Sequence, residues 1–132
     1  MSDILLDVQH LSHVFRLSRD LHIKAVDDVS FQMRKGEIFG LVGESGSGKS
    51  TVARCIMNIH RPAAGNILYN GINICEKSQL RKHHKMLEAN RQIIFQDSAS
   101  SLNQRMTVAE IIAEPMSIHR ITPPRGHSSD LC

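Results

Sequence analysis

An eight-residue glycine-rich segment, G-E-S-G-S-G-K-S at 43–50, constrains this chain more than any other feature. It matches the pattern G-x-x-x-x-G-K-[ST] in full, and it follows the apolar run EIFGLV at 37–42. Its glycines allow successive backbone N–H groups to turn inward as a nest of partial positive charge. A helix that starts at about Lys49 adds its N-terminal dipole. The segment therefore predicts a polyphosphate site at a strand-to-helix turn.

The residue types in this segment suit a nucleotide triphosphate with Mg²⁺. Lys49 would place a positive charge on the β- and γ-phosphates, Ser50 would offer its hydroxyl to Mg²⁺, and Thr51 would donate to a phosphate oxygen. The alternative is a plain Gly/Ser turn, which matches four fixed positions by chance in only about one chain in two hundred of this length. The predicted nucleotide-binding residues are Gly43, Glu44, Ser45, Gly46, Ser47, Gly48, Lys49, Ser50 and Thr51.

Composition excludes several other classes of protein. The 132 residues are 41% hydrophobic and 22% charged, which is typical of a globular chain. No apolar run approaches the roughly 18 to 20 residues that a membrane span needs, and residues 1–3 lack the basic-then-apolar pattern of an export signal. The formal charge of +3 suits a phosphate ligand as well as nucleic acid. We expect neither a metal cluster nor a disulfide framework from the three cysteines, Cys55, Cys75 and Cys132.

Periodicity and turn signals predict strands that alternate with helices, and hence an α/β fold. The strands are predicted at 4–9, 25–33, 37–42 and 91–95, with a hairpin at 66–74 whose turn is Asn70-Gly71. The runs at 37–42 and 91–95 are nearly continuous in apolar residues, which favours buried strands. In 25–33 we expect Val26 on one side of the strand and the other apolar residues on the opposite side: Ala25, Val29, Phe31 and Met33.

Helices are predicted from Ser50 to about Asn58 and from Thr107 onward. Thr107 precedes Glu110 by three residues, which is a capping-box pattern, and Pro115 is expected to kink or break that second helix. Residues 76–90 are charged and lack a deep apolar stripe. The basic run at 81–85 has no interleaved aromatic residue, so we expect a solvated face and no nucleic-acid partner. The eight histidines show no zinc-ligand spacing.

Several segments together resemble the N-terminal part of an ABC transporter ATP-binding subunit. They are AVDDVSF at 25–31, KGEIFGLVGESGSGKST at 35–51, GNILYNG at 65–71 and RQIIFQDSASSLNQRMTVAEIIAEP at 91–115. The similarity is narrowest to the oligopeptide and dipeptide importers and their F-type ATPase subunit. It implies a P-loop NTPase of the ABC ATPase type, with an N-terminal antiparallel β subdomain and an incomplete core sheet and helical subdomain. Residues 1–121 would be the N-terminal part of the ATP-binding domain, and 122–132 a flexible tail outside the family pattern.

The resemblance also implies roles for two residues outside the phosphate loop. Phe15, in SHVF, matches the aromatic residue that stacks on adenine, and Gln96, in IIFQD, matches the Q-loop glutamine that reaches Mg²⁺ or the attacking water. A core aromatic and a polar strand end are the respective alternatives. Where the family usually has prolines in this loop, the chain has Ser98 and Gln104, which predicts a less stiff loop and weaker coupling to the permease.

The family's signature sequence L-S-G-G-Q, its second acidic strand motif and its catalytic glutamate do not occur in these 132 residues. We therefore expect weak ATP binding and little hydrolysis from this chain alone, and aggregation or partial unfolding when it is expressed by itself. The resemblance implies a peptide importer subunit on the cytoplasmic side of the membrane, which uses ATP and Mg²⁺. Its partners would be transmembrane permease subunits, a second ATP-binding subunit and, indirectly, an extracytoplasmic solute-binding protein. A soluble ABC-class ATPase unconnected with transport and an inactive gene fragment are the alternatives.

Overall fold

The computed structural model describes residues 3–97, 101–119 and 121. The chain divides into two compact units, Met1–Arg91 and Gln92–Cys132. The first contains strands β1 (Ile4–Arg16), β2 (His22–Arg34), β3 (Ala64–Tyr69) and β4 (Ile72–Asn73), with helices α1 (Lys49–Ile56) and α2 (Lys77–Asn90); the second contains helix α3 (Val108–Ile118). The predicted tail at 122–132 and the Ser98 position lie outside the described residues.

The described strands form one antiparallel sheet in the order β2-β1-β3-β4. The core beside it is aliphatic and includes Leu6, Val8 and Leu11 of β1, Ile67 of β3 and Leu87 of α2. This sheet confirms the N-terminal antiparallel β subdomain. The predicted strand at 4–9 is confirmed and continues to Arg16. In the predicted hairpin turn, Asn70 and Gly71 have positive φ values of 49° and 79°, as a type I′ turn requires.

A paired irregularity in β1 and β2 changes which side chains face the core. His10 and Asp28 both have a φ of 50°, and the register between the two strands shifts in this region. Strict alternation would place Val26 and Val29 on opposite sides of β2. In the structure Val26 is buried in the core, and Val29 packs against the same core. The expectation for Val26 was therefore wrong, because a bulge reverses the order in which side chains alternate along a strand.

The apolar run at 37–42 was predicted to be a buried strand, and it is not. The segment lies outside the sheet, and Ile38 and Val42 are 99% and 93% exposed. An apolar run becomes a strand only when a neighbouring strand satisfies its backbone N–H and C=O groups. No strand among the described residues pairs with this one. The Phe39 ring nevertheless stacks on Phe31 of β2, with 4.8 Å between the ring centroids.

The prediction of a second buried strand, at 91–95, is also wrong, because no described strand pairs with this segment. These residues belong to no described strand, and Ile94 is 92% exposed.

In the Gln92–Cys132 unit, the predicted capping box of helix α3 is confirmed: the Thr107 hydroxyl accepts from the Glu110 N–H, and the Glu110 carboxylate accepts from the Thr107 N–H. The helix continues through Pro115 to Ile118, so Pro115 does not break it. Pro115 has no N–H to donate to the turn before it, yet the helix continues, and the Pro115 carbonyl accepts from the His119 N–H.

Helix α2 was not predicted, because its apolar side is narrow. Only Leu87 is buried, while Leu80 and Met86 pack partly against the core. Leu80 and Leu87 are seven residues apart, which places both on one face of a helix, and this spacing is the signal that could have revealed it. The basic run on the same helix is a solvated face, as expected, with these residues exposed: Arg81, Lys82, His84 and Lys85.

Candidate nucleotide-binding site

The glycine-rich loop enters α1 through two residues with left-handed backbone conformations. Gly46 has a φ of +81° and Gly48, the N-cap of α1, has a φ of +90°. A Cβ atom on Gly48 would lie 2.2 Å from the carbonyl oxygen of Ala25 in β2. Glycine is therefore required at 48 for two reasons, its backbone angle and the close approach of the loop to the sheet. The contact fixes the start of α1 against β2.

The ammonium group of Lys49 lies among oxygen atoms of the loop itself. Its Nζ atom donates to the carbonyl oxygens of Gly43 and Glu44 at 2.7 Å and 2.5 Å, and to the Ser47 hydroxyl at 3.1 Å. These three oxygens carry no formal charge. Phosphate oxygens would be stronger acceptors for the same cation, because hydrogen bonds between ionised partners are about twice as strong as neutral ones. The loop therefore holds a positive charge beside the N-terminus of α1.

The first turn of α1 is suited to an anion. No side chain caps it and no acidic residue lies in it. The Val52 N–H donates to the carbonyl of Gly48, the N-cap of α1, and the N–H groups before Val52 in this first turn have no intrahelical acceptor. Ser50 is exposed, whereas Thr51 is only 8% exposed. The backbone of this turn supplies the donors that a phosphate group needs.

A pocket of about 290 Å³ joins the loop to the sheet. Phe15, near the end of β1, lines it together with Ile23 and Ala25 of β2 and with loop and helix residues 46–51. The structure therefore brings Phe15 beside the second half of the predicted loop. The earlier loop residues Gly43, Glu44 and Ser45 do not line this pocket.

Two histidines that sequence reasoning did not single out contact Phe15. The ring of His13 lies 4.7 Å from the Phe15 ring at 80°, and the ring of His60 lies 5.4 Å from it at 88°. The two imidazoles stack on each other at 5.3 Å. His13 is two residues before Phe15 on the same strand, so strand periodicity could have revealed it. His60 follows α1, and no sequence signal joins it to Phe15.

Two free thiols are described in this unit, Cys55 in α1 and Cys75. Cys55 is fully buried, and burial, with a smaller effect of nearby Cys75, raises its pKa to about 11. Burial also raises the pKa of Cys75. Both thiols therefore stay protonated at neutral pH, and this opposes a nucleophilic role.

Few of the described residues could bind a magnesium ion. Ser50, in the first turn of α1, presents an exposed side chain that could supply one oxygen ligand, and a phosphate-bound Mg²⁺ takes its other ligands from phosphates and water. Among residues 3–97, 101–119 and 121, no group of three or more His, Cys, Asp or Glu side chains could hold a metal ion. Gln96 is exposed and belongs to the Gln92–Cys132 unit, so its contact with Mg²⁺ or water stays a prediction.

Comparisons with known proteins identify the family of the chain. The ABC transporter family model matches residues 26–129. The oligopeptide transport ATP-binding protein OppF of Bacillus subtilis is 48% identical over 123 residues, which are 92% of this chain and 39% of that protein. The putative oligopeptide transport ATP-binding protein YkfD of the same organism is 48% identical over 120 residues, which are 89% of this chain and 35% of that protein. The chain thus spans little more than a third of the length of these relatives.

Solved structures share the fold. The dimeric ATP-binding cassette MJ0796 bound to ADP and Pi aligns with a TM-score of 0.71, over 92% of this chain and 51% of that one, at 21% sequence identity. Similarity at this identity concerns the fold alone. In the described part of the chain, no helix has the length and apolar character that crossing a membrane requires.

Proposed function

Because the chain belongs to the ABC transporter family, we propose that it forms the nucleotide-binding part of the ATP-binding subunit of a peptide importer. The observation that carries the proposal is the pocket that brings Phe15 together with the loop and helix residues 46–51. An aromatic ring beside an N–H-rich loop with a lysine suits a base joined to a chain of phosphates. The relatives are named as oligopeptide transport ATP-binding proteins, which favours a peptide importer.

In this proposal the residues bind and orient ATP in three ways. The N–H groups at the start of α1 and the Lys49 ammonium hold the phosphates, with Lys49 exchanging its neutral loop acceptors for phosphate oxygens. Ser50 contributes an oxygen to Mg²⁺, and Phe15 offers a ring on which the base stacks. ATP supplies the phosphoryl group whose transfer to water drives transport. Gln96 contacts Mg²⁺ or that water, as the resemblance implies.

The partners in this proposal follow from the resemblance to ABC importers. An importer subunit of this kind works on the cytoplasmic face of the membrane with transmembrane permease subunits and a second ATP-binding subunit, and indirectly with a solute-binding protein outside. Co-purification tests this step. Retention of a permease by the tagged chain would support the transport assignment, and a failure to retain one would favour an ABC-class ATPase unconnected with transport.

Titration with a fluorescent adenine nucleotide and Mg²⁺, carried to millimolar concentrations, tests the binding site. Lys49→Ala removes the cation, while Lys35→Ala removes an exposed lysine of the turn after β2 and serves as the matched control. A hydrogen bond to a charged group contributes about 1.5–3 kcal/mol, so Lys49→Ala should weaken binding about 10- to 100-fold. Lys35→Ala should change it less than twofold. Equal affinity of the native chain and Lys49→Ala would refute the proposal.

A further inference from the structure

We propose that His60 is a positioning residue of this nucleotide site, and that it acts through Phe15. The inference rests on the proposed function and deepens it. The His60 ring contacts Phe15 nearly perpendicularly and stacks on His13, so the three rings form a closed triangle. This aromatic triangle, His13, Phe15 and His60, holds the Phe15 ring at the pocket that the loop also lines.

His13 anchors the triangle to the backbone. It is 8% exposed, and its Nδ1 atom donates to the carbonyl oxygen of Arg61 at 3.0 Å. That hydrogen bond ties β1 to the segment that follows α1. The same segment is tied back to the helix, because the N–H groups of Ile59 and His60 both donate to the Arg54 carbonyl, at 2.9 Å and 3.2 Å. His60 is therefore attached to α1 and packed against β1 at the same time.

Helix α1 links the two halves of the site. The phosphate loop leads into its first residue, Lys49, and His60 follows its last residue by four positions. Eight helical residues span about 12 Å, a distance set by rigid backbone. Phe15 contacts His60 beyond one end of the helix and lines a pocket with Gly48 and Lys49 at the other. The position of the Phe15 ring relative to the loop thus depends on the His60 contact.

The contact uses the ring of His60 rather than its nitrogen. Within the described residues, the Nε2 atom of His60 is buried and has no hydrogen-bond partner. A buried polar atom without a partner opposes folding. The Nε2 atom therefore does not stabilise the triangle, and the contact with Phe15 depends on the ring. A phenylalanine ring could make the same perpendicular contact with Phe15. His60→Phe is consequently the conservative variant, and His60→Ala is the disruptive one.

The test compares a ligand that has a base with one that has none. Mg²⁺-bound fluorescent ATP and inorganic tripolyphosphate are measured, the second by competition, for the native chain, His60→Ala and His60→Phe. Base–aromatic stacking makes a large contribution to nucleotide affinity, so His60→Ala should weaken ATP binding about 5-fold or more. Tripolyphosphate affinity should change less than twofold, and His60→Phe should keep both affinities. If His60→Ala unfolds, His60→Leu, which keeps apolar volume without a ring, replaces it with the same expectation.

A double-mutant cycle tests whether His60 acts through Phe15. Phe15→Ala alone should weaken ATP binding, and the double variant Phe15→Ala/His60→Ala should bind ATP no more weakly than Phe15→Ala does. Additive losses would overturn the inference, as would equal weakening of ATP and tripolyphosphate by His60→Ala. If the native chain bound neither ligand, the proposed function would fail and the inference with it. If it bound both and His60→Ala changed neither, only the inference would fail.

Discussion

Gly48 allows the most direct test of how the loop is held, because Gly46 is a matched control two residues away. Both have left-handed backbone angles, with φ of +90° and +81°. A Cβ atom on Gly46 would meet nothing within 4 Å, whereas one on Gly48 would lie 2.2 Å from the Ala25 carbonyl oxygen. The two alanine variants therefore share the backbone cost and differ in the collision with β2.

The magnitudes follow from these two contributions. A left-handed angle costs a non-glycine residue about 1–2 kcal/mol, which is the expected loss of unfolding free energy for Gly46→Ala. At Gly48 the gap between α1 and β2 must also open by most of an ångström, because real Cβ atoms essentially never approach closer than 3.0 Å. Overpacking of this kind costs about 1–3 kcal/mol more. Gly48→Ala should therefore lose about 2–5 kcal/mol.

Urea denaturation followed by far-UV circular dichroism measures both losses, since the chain has no tryptophan. The decisive quantity is the difference between the two variants, in which the shared backbone cost cancels. Nucleotide titration adds a second readout, because displacement of the start of α1 also moves the donors at 49–51. Equal unfolding free energies for Gly46→Ala and Gly48→Ala would refute the conclusion that contact with β2 fixes the loop.

Two further predictions concern titratable groups. The N–H and hydroxyl of Thr107 hold the pKa of the Glu110 carboxyl below its usual value, so the cap contributes above the unfolded-state pKa and is lost as pH falls through the folded-state one. Backbone chemical shifts of α3 should therefore report fraying in acid, and Thr107→Ala should show it already at neutral pH; shifts identical to the native chain would contradict this. Burial raises the Cys55 pKa from 9.0 to about 11. The contribution of this thiol to the free energy of unfolding is therefore fully present below pH 9 and is lost as pH rises toward 11. Cys55→Ala should flatten urea midpoints over that range, and an unchanged slope would count against this origin.

Sequence reasoning succeeded where an interaction is local. Gly46 and Gly48 of the loop, the Asn70-Gly71 turn and the Thr107–Glu110 cap each depend on backbone angles or hydrogen bonds within three residues. Such features need no knowledge of the rest of the fold. They predicted the start of α1, the β3–β4 hairpin and the start of α3.

It failed where a partner distant in sequence decides the outcome. The run at 37–42 has the composition of a buried strand, but a strand needs a neighbour, and Ile38 is 99% exposed without one in the described chain. The error at Val26 has a related origin, since the bulge at Asp28 exists only through its pairing with β1. Helix α2 was missed because its apolar residues are few, with only Leu87 buried and with Leu80 and Met86 packed partly against the core.

The same distinction separates the two halves of the candidate site. The phosphate half is encoded in consecutive residues and forms although the apolar run before it lies outside the sheet, because the loop takes its support from β2 through the contact of Gly48 with Ala25. The base half has no such local origin. It requires β1 to bring Phe15, α1 to bring His60, and the hydrogen bond between His13 and Arg61 to join the two elements. Substitutions in β1 should therefore impair base recognition before phosphate binding, whereas those in the loop should impair both together.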